Sequence, residues 1–273
     1  MVNGQTMNDL AYGNFNFITT IPVSMIERIE ILRGPGSCLY GGFAEVGALN
    51  VITTTAQTKP GVQIHTAGGI QGANGRTGMA AIQFGETFGA LEMNVSVGIN
   101  IRSLSNRLYQ DHFGNEIQMS DSSFGRNYTY ILTDIKYKNL RFKYNYNRHK
   151  FAAQDGFVSI IPDFRENYID VADHYSHNLS TSYTIPIYEK VKLIPGVEYT
   201  LGNPVNAMEI PTNSYGFYSN PSSRLQRLKG NLDLEYEATK TLRLIAGAGA
   251  IRDIAESNNF DGNPGLWANE NFD

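Results

Sequence analysis

The stretch Ile21–Thr53 reads IPVSMIERIEILRGPGSCLYGGFAEVGALNVIT, and its order of elements decides the fold. Ser24-Met25-Ile26-Glu27 has the Ser-x-x-Glu spacing of a capping box, so a short helix is expected to start near Met25. It feeds a strand from Ile29 to Arg33, which Gly34-Pro35 stops. Gly34, Gly36, Gly41, Gly42 and Gly47 supply turns and close backbone approach. Asn50-Val51-Ile52-Thr53 closes the stretch as a second strand. Gly34-x-Gly36 does not make a nucleotide loop: the third glycine is missing at the required spacing and no helical pattern follows.

Working outward, Thr58-Lys59-Pro60-Gly61 is a breaker cluster that marks a domain boundary, with residues 1–57 before it and 61–273 after it. Beyond it the texture changes to period-two alternation. From Ala90 to Arg102, Leu91, Met93, Val95, Val97, Ile99 and Ile101 alternate with Glu92, Asn94, Ser96, Gly98, Asn100 and Arg102. From Leu140 to His149, Leu140, Phe142, Tyr144 and Tyr146 alternate with Arg141, Lys143, Asn145, Asn147 and His149. Successive side chains on a strand point to opposite faces, so each segment has one apolar face and one wet one. Nine segments show this texture: roughly 61–71, 76–86, 89–102, 126–138, 140–151, 175–186, 190–201, 224–237 and 241–251. Several reach the ~10 residues that cross a bilayer when tilted. Pro195-Gly196 interrupts one of them and predicts a bulge or a strand rim.

Links between the segments alternate in length. Those at 86–89, 138–139, 187–189 and 238–240 are short, and those at 103–125, 152–174 and 202–223 are long. The tight 72–75 link is the exception. Short turns on one side and long loops on the other is the layout of a transmembrane barrel. Tyr109, Tyr128, Tyr137, Tyr168, Tyr175, Tyr188, Tyr199 and Tyr236 lie near strand ends, where an apolar ring with a wet tip suits a membrane interface. The fold class expected is mainly β: a partial transmembrane antiparallel barrel of about nine strands with a small α/β unit in front of it.

Composition agrees. A net charge of −4 and a pI near 5.8 argue against nucleic acid as a partner. Mean hydropathy of −0.29 resembles a soluble protein, but alternating strands cancel in such an average. No run approaches the ~18 apolar residues of a transmembrane helix. No signal peptide is read at the N-terminus. The single cysteine, Cys38, cannot close an internal disulfide and reads as a small packing residue.

The Ile21–Thr53 pattern resembles the end of the plug domain of TonB-dependent outer-membrane receptors: the ERIEILRGP core at Glu27–Pro35, the LYG turn at Leu39–Gly41 and the NVIT close at Asn50–Thr53. Val2–Asp9 resembles the plug strand usually written with a VDG core, with Asn3 in place of the aspartate. The resemblance implies that Leu10–Thr20 forms an apical loop facing the substrate, with Tyr12, Asn14, Phe15, Asn16 and Phe17 as candidate contacts. It also implies a plug–barrel lock at Glu27, Arg28, Glu30 and Arg33, because a guanidinium makes directional bonds that can break and re-form. The implied function is energy-coupled uptake of a scarce nutrient (ferric siderophore, haem, cobalamin or glycan) across the outer membrane of a Gram-negative bacterium. Its partners would be outer-membrane lipid, the nutrient ligand, and the TonB complex through a segment missing here. No cofactor, metal site or catalytic group is expected, and the protein is not read as an enzyme.

His174 and His177 fall on opposite strand faces, so they do not share a metal. The acids between Ala152 and His174 match no calcium loop. Family barrels have 22 strands. Nine leave two open edges that lipid does not tolerate, so the chain is expected to be an internal fragment of a longer receptor. The alternative is a secreted β-rich binding or adhesion module, which would bury the apolar stripes in a core. A β-fold carbohydrate-active enzyme lacks a credible acid/base pair.

Overall fold

A computed structural model describes residues 1–7, 10, 21–34, 47–71, 75–103, 108–110, 116–118, 125–152, 171–203 and 223–257. Their strands are β1 (Ile26–Arg33), β2 (Gly47–Thr53), β3 (Gly61–Gln71), β4 (Gly75–Phe88), β5 (Leu91–Ser103), β6 (Leu108–Gln110) and β7 (Glu116–Gln118). They continue with β8 (Gly125–Tyr137), β9 (Leu140–Ala152), β10 (Val171–Tyr183), β11 (Ile185–Tyr188), β12 (Val191–Asn203), β13 (Ser223–Glu237) and β14 (Arg243–Ser257). No described helix is long and apolar enough to cross a membrane, which says nothing about crossing by strands.

One antiparallel sheet dominates, in the order β14-β13-β12-β10-β9-β8-β5-β4-β3. These are the nine segments whose alternation is visible in the sequence, each paired with its neighbour along the chain; β6 and β7 form a separate hairpin. The joints between long strands are tight at Gly89-Ala90 and Lys138-Asn139, with positive φ at Gly89 and Lys138.

Pro195 behaves differently from the bulge expected of it. Strand β12 runs through it with unbroken register against β13 from Val191↔Tyr236 to Gly202↔Leu225. The interruption falls on the neighbour instead. Pairing of β10 with β12 runs to Ser182↔Gly196 and resumes in the same register at Ile185↔Leu193 of β11. A proline has no N–H to give that ladder, so the gap opens opposite it. Thr184, in the gap, donates its N–H to Asn139 at 2.9 Å.

The N-terminal unit is small. Strands β1 and β2 pair antiparallel, with Ile29↔Val51 and Ile31↔Leu49 opposite one another. Val2 bridges Val51 in parallel on the other side of β2. The helix expected near Met25 is a single 3-10 turn, Val23–Met25, without a side-chain cap bond. The reason lies in where Ser24 spends its polar groups. Its hydroxyl bonds His65 Nδ1 at 2.6 Å and its carbonyl accepts from Lys59 Nζ at 2.7 Å. From Ile26 onward the backbone is already committed to the β1–β2 ladder.

The sheet's two faces differ sharply. Outward from the N-terminal unit stand Val62, Ile64, Ile82, Val97, Ile99, Leu179, Val197 and Leu232, all exposed. Ile64 is 71% accessible and Val97 45%. The stripe Leu91, Met93, Val95, Val97 and Ile99 is therefore not packed into an internal core. The core lies on the other face, where Val2, Met7, Ile21, Met25 and Val51 of the N-terminal unit meet Ala81, Tyr130 and Leu132 of the sheet.

Candidate functional site

The wet positions of β4, β5, β8 and β9 form a polar wall, and three N-terminal segments are fastened to it. The first is the linker after β2. Gln83 donates Nε2 to the Thr54 carbonyl at 2.8 Å, while the Thr54 hydroxyl donates to Gln83 Oε1 at 3.0 Å. The amide thus gives and accepts at once, and both residues are buried. Beside it the Ala56 N–H donates to Asn94 Oδ1, and Gln57 reaches Glu92 at 3.2 Å. The linker lies so close to the wall that a Cβ on Gly85 would stand 3.0 Å from Ala56 Cα. A glycine inside a strand marks this kind of approach.

The second segment is the turn Val2–Gln5. Asn3 and Gly4 have positive φ, which asparagine and glycine tolerate best. Asn3 donates Nδ2 to Thr53 Oγ1 and accepts the Thr53 N–H at its Oδ1, each at 2.9 Å. An ionised aspartate, usual here in the resembling pattern, could only accept. On the wall side, Lys143 donates to the Asn3 carbonyl at 2.5 Å, and Asn145 donates to Gln5 Oε1 at 2.6 Å.

The third is the 3-10 turn, held by Ser24 as above and by Met25. Tyr130, 1% exposed, donates its hydroxyl to Met25 Sδ at 3.5 Å. Its ring lies across Gly98, where any Cβ would overlap it.

The expected site residues fall into two groups. Tyr12, Asn14, Phe15, Asn16 and Phe17 lie outside the described residues, as does Cys38. Glu27, Arg28, Glu30 and Arg33 lie on or beside β1, and their side chains are largely exposed or half-exposed. Arg28 spans two carboxylates of its own strand, Glu27 at 2.8 Å and Glu30 at 2.9 Å. Glu30 also accepts from Asn50 Nδ2 at 3.0 Å. The Asn50 amide, then the Arg28 guanidinium, hold the Glu30 carboxyl below the usual carboxylate range, and Glu30 in turn raises Arg28. None of these bonds crosses to the sheet. Among the described residues, the fastening to the wall runs mostly through uncharged amides, hydroxyls and backbone groups, with one lysine, Lys143, and one carboxylate, Glu92. Sequence reasoning placed Glu92, Asn94, Arg141 and Lys143 on this face but assigned the fastening elsewhere. The legible signals were glycines inside two strands, Gly85 and Gly98.

Further along, the wall carries a bidentate Arg141–Asp134 pair at 2.8 and 2.6 Å. Beside it is a polar recess of about 140 Å³ lined by Arg141, Lys143, Ser180, Glu198 and Asn231. His177 sits on the opposite face among Tyr144, Tyr146 and Tyr175, with Tyr144 Oη and His177 Nδ1 2.9 Å apart. His174 and His177 are thus on opposite faces, as their spacing requires. Tyr128, read from sequence as an interface tyrosine, belongs instead to the wall face: it is 9% exposed and stacks on His149. Among the described residues, no group of three or more His, Cys, Asp or Glu could hold a metal ion.

Comparison with known proteins bears on this arrangement. Residues 1–48 match the model of the TonB-dependent Receptor Plug Domain. Over 173 residues the chain is 32% identical to a vitamin B12 transporter of Vibrio vulnificus, covering 52% of this chain and 28% of that protein. The chain therefore spans less than a third of that relative's length. The FrpB iron transporter from Neisseria meningitidis superposes with a TM-score of 0.58 at 13% identity, over 87% of this chain and 38% of the other. The Fiu ferric-catecholate import receptor of E. coli K12 does so with a TM-score of 0.55 at 12% identity, over 87% and 40%. At that identity the two structures speak for the fold alone.

Proposed function

We propose that this chain, which belongs to the TonB-dependent receptor family, supplies the C-terminal part of the plug (residues 1–57) and the first part of the barrel (residues 61–273) of a nutrient importer. Membership of that family makes it an outer-membrane protein of a Gram-negative bacterium and a receptor rather than an enzyme. The observation that carries the reading is the division of one sheet into two faces. One presents exposed aliphatic side chains, as lipid requires, and the other holds the N-terminal unit by buried polar bonds. A secreted module would hide the aliphatic stripes in a core, and no observation favours that alternative.

The nutrient is a metal chelate or corrinoid, in keeping with a relative named for vitamin B12 and structural neighbours named for iron import. It would meet the plug at Tyr12, Asn14, Phe15, Asn16 and Phe17, where aromatics and amides suit a bulky, acceptor-rich ligand. Energy would come from the TonB complex. Glu27, Arg28, Glu30 and Arg33 would form a charged edge of the plug that pairs with barrel wall beyond the nine strands described here. The test is growth of a strain lacking its own cobalamin and siderophore receptors, carrying the complete receptor and supplied with cobalamin or one ferric chelate at a time. Growth on one of them that disappears without TonB, and falls when Tyr12, Phe15 and Phe17 are changed to alanine, supports the reading. Growth that persists without TonB contradicts it.

A further inference from the structure

The wall carries a second constellation, away from the fastened segments. Asn100 of β5, Tyr128 of β8, His149 of β9 and His174 of β10 are successive register partners: Asn100↔Tyr128, Tyr128↔His149 and His149↔His174. They form one row across four strands. The row is on the same face as Asn94, Tyr130 and Asn145, each an even number of residues away on its own strand. It lies toward the end of the sheet opposite the tight turns at Gly89-Ala90 and Lys138-Asn139. In a receptor of this family that end is the outer mouth of the lumen.

The rings are ordered. Tyr128 and His149 stack with centroids 4.2 Å apart and planes at 13°. His149 and His174 follow at 6.2 Å and 28°. The backbone beneath them is braced by a chain of polar bonds on the same face. Asn147 donates to Ser176 Oγ at 2.6 Å, Asn178 donates to the same oxygen at 3.3 Å, and Thr200 donates to Asn178 Oδ1 at 3.0 Å.

We propose that His149 and His174 together bind one first-row transition-metal ion at the mouth of the lumen. An imidazole nitrogen binds such an ion at about 2.0–2.1 Å, which puts the ring centroid about 3.2 Å from it; two rings on one ion therefore have centroids up to about 6.4 Å apart. The observed 6.2 Å lies inside that reach at a wide nitrogen–metal–nitrogen angle of about 150°, which suits a near-trans pair on square-planar copper or nickel better than tetrahedral zinc. The torsion that turns an imidazole about its own bond is broad, so both rings can aim at a common point without moving the strands. Each ring can bind the metal through one nitrogen and keep a hydrogen bond on the other, which orients it. Imidazole selects zinc, copper, nickel or iron over calcium and magnesium. Two protein ligands leave the remaining coordination positions open, so the site suits an ion that arrives hydrated or in a chelate with exchangeable positions, rather than a closed structural centre. The inference rests on the receptor reading only for the location of the mouth.

The test uses the complete receptor in detergent micelles, titrated with Cu²⁺ as the chloride and, separately, as its nitrilotriacetate chelate. Pulsed electron paramagnetic resonance then counts the imidazoles on the copper. Two imidazoles at one copper per protein are expected. His149→Gln and His174→Gln should each lower affinity about tenfold or more and leave one imidazole at most, since loss of an outer-shell partner alone costs about that much. Changing both His65 and His177 to glutamine should leave the signal intact. Two-imidazole binding of the chelate would identify delivery in a chelate, and of the chloride alone, capture of the hydrated ion. A wild-type receptor that gives no two-imidazole signal in either form overturns the proposal, and this needs no variant to fold. Unchanged affinity in folded His149→Gln and His174→Gln proteins overturns it too. Such a failure leaves TonB-dependent growth untouched, so it is distinct from failure of the nutrient-import reading.

Discussion

The two faces of the same strands are built by opposite rules. On the outward face Val62, Ile64, Val97 and Leu232 stand exposed, an arrangement that suits an apolar solvent. On the inward face Gln83, Asn145, Asn178 and Thr200 are buried and bonded, although each is polar. A burial rule learned from water-soluble proteins is inverted between them. Buried polar groups are stable when every partner is present, and unforgiving when one is removed.

The comparison is broken most strongly by placing a charge on the outward face. Val97→Arg should cost about 2–4 kcal/mol in the complete barrel, measured by urea unfolding in liposomes, because a charge near the bilayer midplane is poorly solvated. A cost near zero would mean that Val97 does not face lipid. Among inward positions Asn94 is not an indifferent control, because it accepts the Ala56 N–H. Asn94→Ala should itself cost about 1–3 kcal/mol by leaving that donor unpaired.

Next in size is the loss of one buried amide. Gln83→Leu keeps the volume but removes both bonds to Thr54, and should cost about 1–3 kcal/mol. It should also loosen the linker, read as increased entry of large antibiotics through the outer membrane. Gly98→Ala tests packing on the same face: the added methyl would overlap the Tyr130 ring that bonds Met25. A cost of about 1–3 kcal/mol is expected, as for overpacked cores. Tolerance of Gly78→Ala, where an added Cβ meets nothing within 4 Å, would sharpen the contrast.

The smallest effect belongs to the exposed charges of β1. Arg28→Ala should leave unfolding in the complete receptor almost unchanged, because solvent screens both of its ion pairs. Their pH dependence has a definite sign. Glu30 is held below its ordinary value of 4.5, so its contribution is present above that value and is lost as pH falls through the lowered one. A loss of stability on raising pH from 5 to 7 would not come from this group.

Alternation made the sheet legible. Leu91 to Arg102 and Leu140 to Asn147 carry strict period two, and all nine long strands fall on segments readable from that pattern. Strand ends were less legible. Strand β10 begins at Val171 rather than near Tyr175, and β14 runs to Ser257 rather than 251, because the alternation fades where strands leave the apolar band. The Ser24 capping box misled, since a local pattern was overridden by tertiary partners, His65 and Lys59. The fastening of the N-terminal unit was largely hidden. Gln5 and Asn145 are 140 positions apart, and nothing in either residue's neighbourhood announces the other. The resemblance implied a lock at Glu27, Arg28, Glu30 and Arg33; among the described residues, the bonds that cross to this part of the wall belong mostly to uncharged groups, and the lock stays a proposal.

The most direct test of the two-face account is a spin-label scan of residues 91–99 in the complete receptor reconstituted in liposomes. Accessibility to oxygen, which concentrates in lipid, is compared with accessibility to a water-soluble nickel chelate at each position. The account predicts period-two alternation, with high oxygen contact at positions 91, 93, 95, 97 and 99 and low contact at 92, 94 and 96. Uniform accessibility, or oxygen maxima at the even positions, would contradict it.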